Sequence, residues 1–224
     1  MRLQNVIWLQ PGTLTENEIS LDVRIMRKSS NRLEYEIVGA GAKEQEVIYS
    51  QGVGSLISQT PSRVDISDLS NIYTEHVLSA QQFYEMYKNI GLNYGQSHQS
   101  VIELSMGQDE ASIPGVLAKL EIPRSDDIQD NGFVLHPSIM DGALQATMAL
   151  GFASHRDIEF DGKARLPFSF ESLDIYQSTP NQAYAWIRRS AGGVQNDAFQ
   201  NLDITICDVR GIFALISKVF NTGI

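Results

Sequence analysis

Residues 133–150, "FVLHPSIMDGALQATMAL", most constrain the fold, because they form a long apolar run in a chain that elsewhere alternates apolar and polar residues. Proline suits the first turn of a helix, so His136 and Pro137 predict a helix start, and Gly151 predicts its end. A helix that is apolar on most of its surface is a buried helix. The sequence therefore predicts one central helix enclosed by other elements.

Period-two alternation on both sides of this helix predicts β-strands. The first half alternates in three segments, with a turn at 28–31 and a bend at Gly52 and Gly54, and is predicted to form an antiparallel meander. The second half has two strands before the helix and four after it. The predicted strands are 6–10, 18–27, 32–39, 46–57, 100–107, 115–123, 166–177, 183–191, 198–211 and 212–220.

A second helix is predicted directly after Ser79, which can cap it, and it ends at Gly91. Residues 61–78 lack periodicity and are rich in turn formers, so they are predicted to be a linker. One apolar helix wrapped by an antiparallel sheet is the hot-dog arrangement. The fold class is accordingly predicted as α+β, with 1–60 as the remainder of an N-terminal hot dog and 79–224 as a C-terminal hot dog.

Charge and composition exclude several classes of function. The chain has 224 residues, a net charge of −10 and a pI near 4.8, which argues against nucleic acid and anionic membrane surfaces as partners. Its N-terminus is too polar for a secretory signal, so the expected location is the cytoplasm. The single Cys207 cannot form an internal disulfide, and no His, Asp and Glu cluster has ligand spacing, so no metal site is predicted.

Asp141 and Gln145 are the polar residues of the central helix that suggest chemistry, because residues four apart share one helix face. A carboxyl group among apolar side chains favours its protonated form and can then act as a general acid. Gln145 can donate an N–H to that carboxyl or to a substrate oxygen. The spacing alone also fits structural roles: Asp141 as a complement of the helix dipole, and Gln145 as a packing residue.

Four blocks of the sequence resemble the dehydratase domains of modular polyketide synthases. "VLHPSIMDGALQA" (134–146) resembles their HPxxxDxxxQ motif, and residues 83–104 are similar to a Tyr-rich helix that leads into a YGxxFQ segment. Residues 165–176 resemble the family's LPFS strand and 202–211 its closing hairpin. Residues 3–11 are also similar to a stretch of the first hot dog. The blocks occur in the family's order and spacing, so the resemblance covers nearly the whole chain.

The resemblance implies a double hot-dog fold, with the first hot dog incomplete here, that removes water from a carrier-protein-bound β-hydroxyacyl thioester. It makes Asp141 the acid and Gln145 its partner. It also implies a substrate tunnel with Tyr94, Gly95, His136, Pro137 and Phe168 as substrate-binding residues. No cofactor is implied beyond the phosphopantetheine arm of an acyl carrier protein. The implied partners are that carrier and other synthase domains. Dimers are common in the family, so the resemblance is also compatible with a homodimer.

The sequence departs from the family at several positions. Gln96 stands where proline is common, and His98 where phenylalanine is common. None of the four histidines fits the HxxxGxxxxP motif that supplies the family's base. The base and a core helix are therefore expected to lie upstream of Met1, although a base supplied by another chain or a degenerate module are alternatives. His98 is a weaker candidate base: an imidazole suits that role, because its ordinary pKa is about 6.5, but the family holds a different residue type at this position.

Other functions stay open on the sequence alone. A non-catalytic module that binds the carrier or dimerises explains the missing histidine motif. A relative that forms pyran rings or shifts double bonds would keep the same fold, although Asp141 favours elimination. A single hot-dog thioesterase or hydratase leaves the first-half strands unexplained.

Overall fold

The computed structural model describes residues 1–12, 19–40, 45–124, 132–153, 165–191 and 199–223. About half of these residues belong to strands. The strands are β1 (Arg2–Trp8), β2 (Leu21–Arg27), β3 (Arg32–Ala40), β4 (Glu46–Ser55), β5 (His76–Ser79), β6 (Val101–Gln108), β7 (Pro114–Glu121), β8 (Arg165–Ile175), β9 (Gln182–Arg189), β10 (Phe199–Asp208) and β11 (Phe213–Gly223).

Within the residues described above, four α-helices accompany the strands: α1 (Ile66–Ile72), α2 (Ala80–Asn89), α3 (Pro137–Gln145) and α4 (Leu150–Ala153). A short 3-10 helix, Ala146–Ala149, joins α3 to α4, so the apolar stretch is helical from Pro137 onward. Among the described residues, no helix is long and apolar enough to span a membrane.

All eleven strands form one sheet, in the order β2-β3-β4-β1-β8-β11-β10-β9-β7-β6-β5. Every named pairing is antiparallel, from β2 with β3 to β5 with β6. The two halves of the chain meet where β1 pairs with β8, with Arg2 opposite Asp174. The predicted meander of the first half is confirmed, and β1 joins it to the sheet of the second half.

The core lies between α3 and the strands of the second half. Ile139 and Ala143 on α3 pack in one cluster with buried residues of β6, β7, β9 and β10. The helix approaches the sheet closely at Gly142, where an added Cβ would lie 2.0 Å from Ser100 Oγ. An added Cβ would therefore force the Ser100 hydroxyl away from its hydrogen bond to the Ser138 carbonyl, so a glycine is favoured at this contact.

The predicted start of α2 is confirmed in detail. Ser79 is the N-cap, its side chain accepts from the Gln82 backbone, and the Gln82 side chain accepts from the Ser79 backbone. This reciprocal pair is a capping box, which satisfies otherwise free backbone donors. Gly91 follows the helix with φ of 84°, a conformation that favours glycine.

The sequence predicts a linker at 61–78, and the structure places α1 and most of β5 within these residues. α1 is only seven residues long, and its N-cap is Asp65, whose carboxylate accepts from Ser67 N and Asp68 N. Leu69 and Tyr73 pack with Leu117 on the sheet, so tertiary contacts rather than periodicity hold this helix. The predicted domain limits at 60 and 78 remain predictions.

Candidate functional site

The start of α3 is held by the side chain and the backbone of His136. Its Nδ1 accepts from Ser138 N at 3.2 Å, its backbone N–H donates to Thr179 Oγ1 at 2.8 Å, and Pro137 is the first helical residue. His136 is 4% exposed. These contacts fix the helix entry, and the predicted substrate-binding role of His136 and Pro137 stays a prediction.

Asp141 is the fifth residue of α3, so it lies beyond the first turn, and that turn holds no acidic residue. The interpretation of Asp141 as a first-turn dipole complement is therefore wrong. Its half-buried carboxylate accepts a hydrogen bond from Gln145 Nε2, with Oδ2 2.7 Å away. Burial raises the pKa of Asp141, while the Gln145 hydrogen bond and the charge of His98 act in the opposite direction.

The Gln145 amide is buried and fully engaged. Nε2 donates to Asp141 Oδ2 and also to the carbonyl of His98, 3.0 Å away. Oε1 accepts from the hydroxyl of Tyr84 at 3.1 Å. Since an amide nitrogen carries two hydrogens, both are committed. Gln145 is thus arranged to hold Asp141, and a substrate oxygen would have to displace one of these contacts.

Three tyrosines surround this pair. Tyr87 donates to the Gln145 backbone carbonyl at 2.8 Å, and the ring of Tyr94 makes edge contacts with both Tyr84 and Tyr87. Burial raises the pKa of all three hydroxyls, that of Tyr94 to about 12. They therefore stay protonated at neutral pH, and the hydroxyls of Tyr84 and Tyr87 donate to Gln145.

The segment after Tyr94 is bound to α3 through its carbonyls. Gly95 precedes a 3-10 helix, Gln96–His98, and Ser138 Oγ donates to the Ser97 carbonyl at 2.5 Å. In return, Ser100 Oγ donates to the Ser138 carbonyl at 2.6 Å. The block with "NYG" and the helix block, predicted separately from the sequence, thus meet at one place.

A cavity of about 440 Å³ lies beside this network. Its lining includes both Tyr84 and Tyr94, and it extends along α2 and the start of β6. Lys88 and Glu85 contribute charged groups to the wall. Tyr84 is therefore common to the cavity wall and to the contacts of the Gln145 amide.

Phe168 does not line this cavity. It falls between Pro167 and Ser169, where the pairing of β8 with β11 shifts by one residue, and it is 47% exposed. Such a bulge re-aims one side chain. Its substrate-binding role stays a prediction. Within the described ranges, no three His, Cys, Asp or Glu residues lie close enough together to hold a metal ion.

Tyr84 is the site residue that sequence reasoning missed. It is separated from Gln145 by 61 residues, and helical spacing on α2 marks Phe83 and Tyr87 as apolar-face residues instead. The available signal was a tyrosine next to that face, within a block already resembling a known helix.

Comparison with known proteins gives one consistent family. Residues 62–217 match the model described as "Polyketide synthase dehydratase N-terminal domain". The chain is 32% identical over 213 residues to polyketide synthase PksL of Bacillus subtilis strain 168, covering 94% of this chain and 5% of that protein. It spans 4% of the related PksN, so it corresponds to a small part of these synthases.

Solved structures agree over the full length. A trans-AT PKS dehydratase domain from Brevibacillus brevis is 33% identical, with a TM-score of 0.86, and covers 100% of this chain against 75% of its own. The CurK dehydratase, solved as an inactive Asp→Asn mutant, is 24% identical with a TM-score of 0.83, over 100% of this chain and 76% of its own. The sheet and the helices described above are thus similar to those of dehydratase domains.

Proposed function

The chain belongs to the polyketide synthase dehydratase family, and on that premise we propose that it eliminates water from a β-hydroxyacyl thioester bound to a carrier protein. A base removes the α-proton, the double bond forms, and the C–O bond breaks. The departing hydroxide takes the proton of Asp141 and leaves as water. The product is an α,β-unsaturated thioester, and no atom or electron is unaccounted for.

The single observation that carries this proposal is the half-buried Asp141 carboxyl held by Gln145 Nε2 at 2.7 Å. Burial raises the pKa of this carboxyl, which favours the protonated form that an acid needs. Gln145 fixes the direction of the group, so the proton is presented from a defined position. A buried carboxyl in an enzyme family that protonates a leaving hydroxyl fits that role.

We assign the base to a histidine outside these 224 residues. The chain lacks the family's histidine motif, and the solved dehydratases extend over a further quarter of their length. The CurK dehydratase is described as inactive both as an Asp→Asn and as a His→Phe mutant, so that enzyme needs both residue types. His98 is a weaker candidate, because its carbonyl rather than its ring contacts Gln145.

The phosphopantetheine arm of an acyl carrier protein would deliver the substrate, and Tyr94 and Gly95 would line its path beside Asp141. Other synthase domains are the expected neighbours, and a homodimer and a cytoplasmic location complete the proposal. A relative that closes a pyran ring or shifts the double bond would share this fold, although Asp141 favours elimination. Analysis of the product from a linear β-hydroxyacyl substrate distinguishes the three reactions.

The experiment is mass spectrometry of a β-hydroxyacyl-pantetheine thioester incubated with the chain in its native polypeptide. Loss of one water, with an absorbance change from the conjugated double bond, is expected. An unchanged substrate would defeat the proposal. Omitting the protein and supplying the saturated acyl thioester are the controls.

A non-catalytic interaction module is the second candidate, and the absent histidine motif is the observation that favours it. Light scattering with an acyl carrier protein separates the two. Carrier binding without turnover in the native polypeptide supports the module, whereas turnover supports the enzyme.

A further inference from the structure

We propose that Tyr84 is a positioning residue, which holds the Gln145 amide with its N–H groups toward Asp141. The catalytic consequence rests on the proposed function, but the geometry does not. Tyr84 touches neither Asp141 nor a backbone group of α3 through its hydroxyl, and it acts through Gln145.

The hydroxyl of Tyr84 has one direction available for its hydrogen. Val101 N–H donates to the Tyr84 oxygen at 3.0 Å, so this oxygen already serves as an acceptor. Its own hydrogen then donates to Gln145 Oε1, 3.1 Å away. Because Val101 belongs to β6, the hydroxyl is fixed by the sheet on one side and by α3 on the other.

The amide has only one favourable orientation while Tyr84 is present. Rotating it by half a turn would place Oε1 against Asp141 Oδ2 and the His98 carbonyl, which are both acceptors. It would also place an N–H against the donating hydroxyl of Tyr84. Without the Tyr84 hydroxyl, the buried Oε1 atom would have no donor. The amide would then rotate away from Asp141 to find another one, because an unsatisfied buried acceptor is costly.

Tyr87 provides a matched comparison on the same helix. Its hydroxyl donates to the backbone carbonyl of Gln145 at 2.8 Å, not to the amide. Removing that hydroxyl weakens the packing of α2 on α3 without freeing the amide. The two tyrosines therefore separate a loss of stability from a loss of amide position.

In the part of the chain that the structure describes, few charged or titratable groups act on Asp141. They are Tyr84 and Tyr87 on α2, Tyr94 after that helix, and His98 at the end of the 3-10 helix before β6. Gln145 supplies the hydrogen bond from α3 itself. Of these, only Tyr84 donates to the amide that holds the carboxyl.

The test measures the Asp141 pKa by carbon-13 NMR titration of the carboxyl in wild type, Tyr84→Phe and Tyr87→Phe. The Gln145 hydrogen bond lowers the Asp141 pKa, so we expect Gln145→Leu to raise that pKa by about one unit. Tyr84→Phe should raise it by about half a unit, because it weakens the same hydrogen bond without removing it. Tyr87→Phe should lower the melting temperature while leaving the pKa within about a tenth of a unit.

A double-mutant cycle keeps the result interpretable. In the Gln145→Leu background, Tyr84→Phe should shift the Asp141 pKa no further, because its route of action is gone. An equal shift in both backgrounds would overturn the positioning role. The role would also be overturned by an unchanged Asp141 pKa in a Tyr84→Phe protein whose amide NMR spectrum shows that it is folded. If Tyr84→Phe does not fold, Gln145→Leu and Tyr87→Phe still test whether the Gln145 amide acts on Asp141. An unchanged Asp141 pKa in Gln145→Leu would overturn the positioning role.

Turnover in the native polypeptide gives the second readout. Tyr84→Phe should lower kcat about tenfold with KM within about twofold, and move the alkaline limb of the pH profile upward. A change confined to KM would overturn the role and make Tyr84 a substrate contact of the cavity. A pKa shift in a protein without any turnover would leave the positioning role standing and defeat the proposed function instead.

Discussion

The two halves of the sheet use the same alternating sequence pattern but bury it to very different extents. Ile139 on α3 is fully buried, and strands β6, β7, β9 and β10 each contribute three buried residues to the core around it. In β2 all seven residues are exposed, with Ile25 at 65%. Both halves have a regular antiparallel ladder, so hydrogen bonding between strands does not explain the difference.

The difference lies in the central helix. In the second half, α3 lies against the sheet and its apolar side chains meet those of the strands. In the described part of the first half, no helix covers β2, β3 or β4. Alternation therefore predicts a strand with one apolar face, whereas burial of that face depends on an element elsewhere in the chain. The predictions below test this contrast.

The largest effect is expected in the buried half. Ile139→Ala removes a fully buried side chain beneath the helix, and it should cost about 2–5 kcal/mol of unfolding free energy. Denaturant titration measures it. A cost below about 1 kcal/mol would show that the core around α3 is loosely packed.

A close contact should give the next largest effect. Gly142→Ala places a Cβ against Ser100 Oγ and should destabilise by about 1–3 kcal/mol. Gly151→Ala is the matched control, since nothing lies within 4 Å of its added Cβ. Thermal unfolding compares the two. Equal stability of both variants would mean that α3 does not approach β6 this closely.

A pH effect should distinguish Asp141 from exposed carboxylates. Because burial raises the pKa of Asp141, the folded chain keeps a proton that the unfolded chain releases. Its contribution to stability is thus favourable at low pH and declines as pH rises above about 3.9. Asp141→Asn should therefore gain stability over wild type as pH rises. If the stability of Asp141→Asn relative to wild type instead fell as the pH rose toward 7, the raised pKa of Asp141 would be contradicted.

The smallest effect is expected in the exposed half. Ile25→Ala truncates the same side-chain type as Ile139→Ala, but at a surface position, and should change stability by less than about 0.5 kcal/mol. Denaturant titration of both isoleucine variants gives the contrast directly. A cost near that of Ile139→Ala would show that the face of β2 is covered.

Local signals in the sequence predicted much of the fold. Alternation located β2 and β3, and the Ser79 cap and the His136-Pro137 start located α2 and α3. The hairpin at Gly211, with φ of 78°, was marked by its turn residues. These features depend on residues close in sequence, so a sequence pattern is enough to place them.

Features that depend on distant residues were not predictable in this way. The pairing of β1 with β8 joins positions about 170 residues apart, and α1 is too short for a helical pattern to be distinct. In the site, spacing placed Asp141 and Gln145 on one helix face, and the family resemblance gave them their predicted roles. The Tyr84 contact was not predicted, because it depends on how α2 packs on α3.

The central claim is that Asp141 donates the proton that removes hydroxide. Mass spectrometry of water loss from a β-hydroxyacyl-pantetheine thioester tests it most directly, with wild type and Asp141→Asn compared in the native polypeptide. Asn keeps an oxygen that can accept from Gln145 but has no acidic proton. The account predicts that Asp141→Asn is at least about 100-fold slower at equal folding. Equal rates for the two proteins would contradict it.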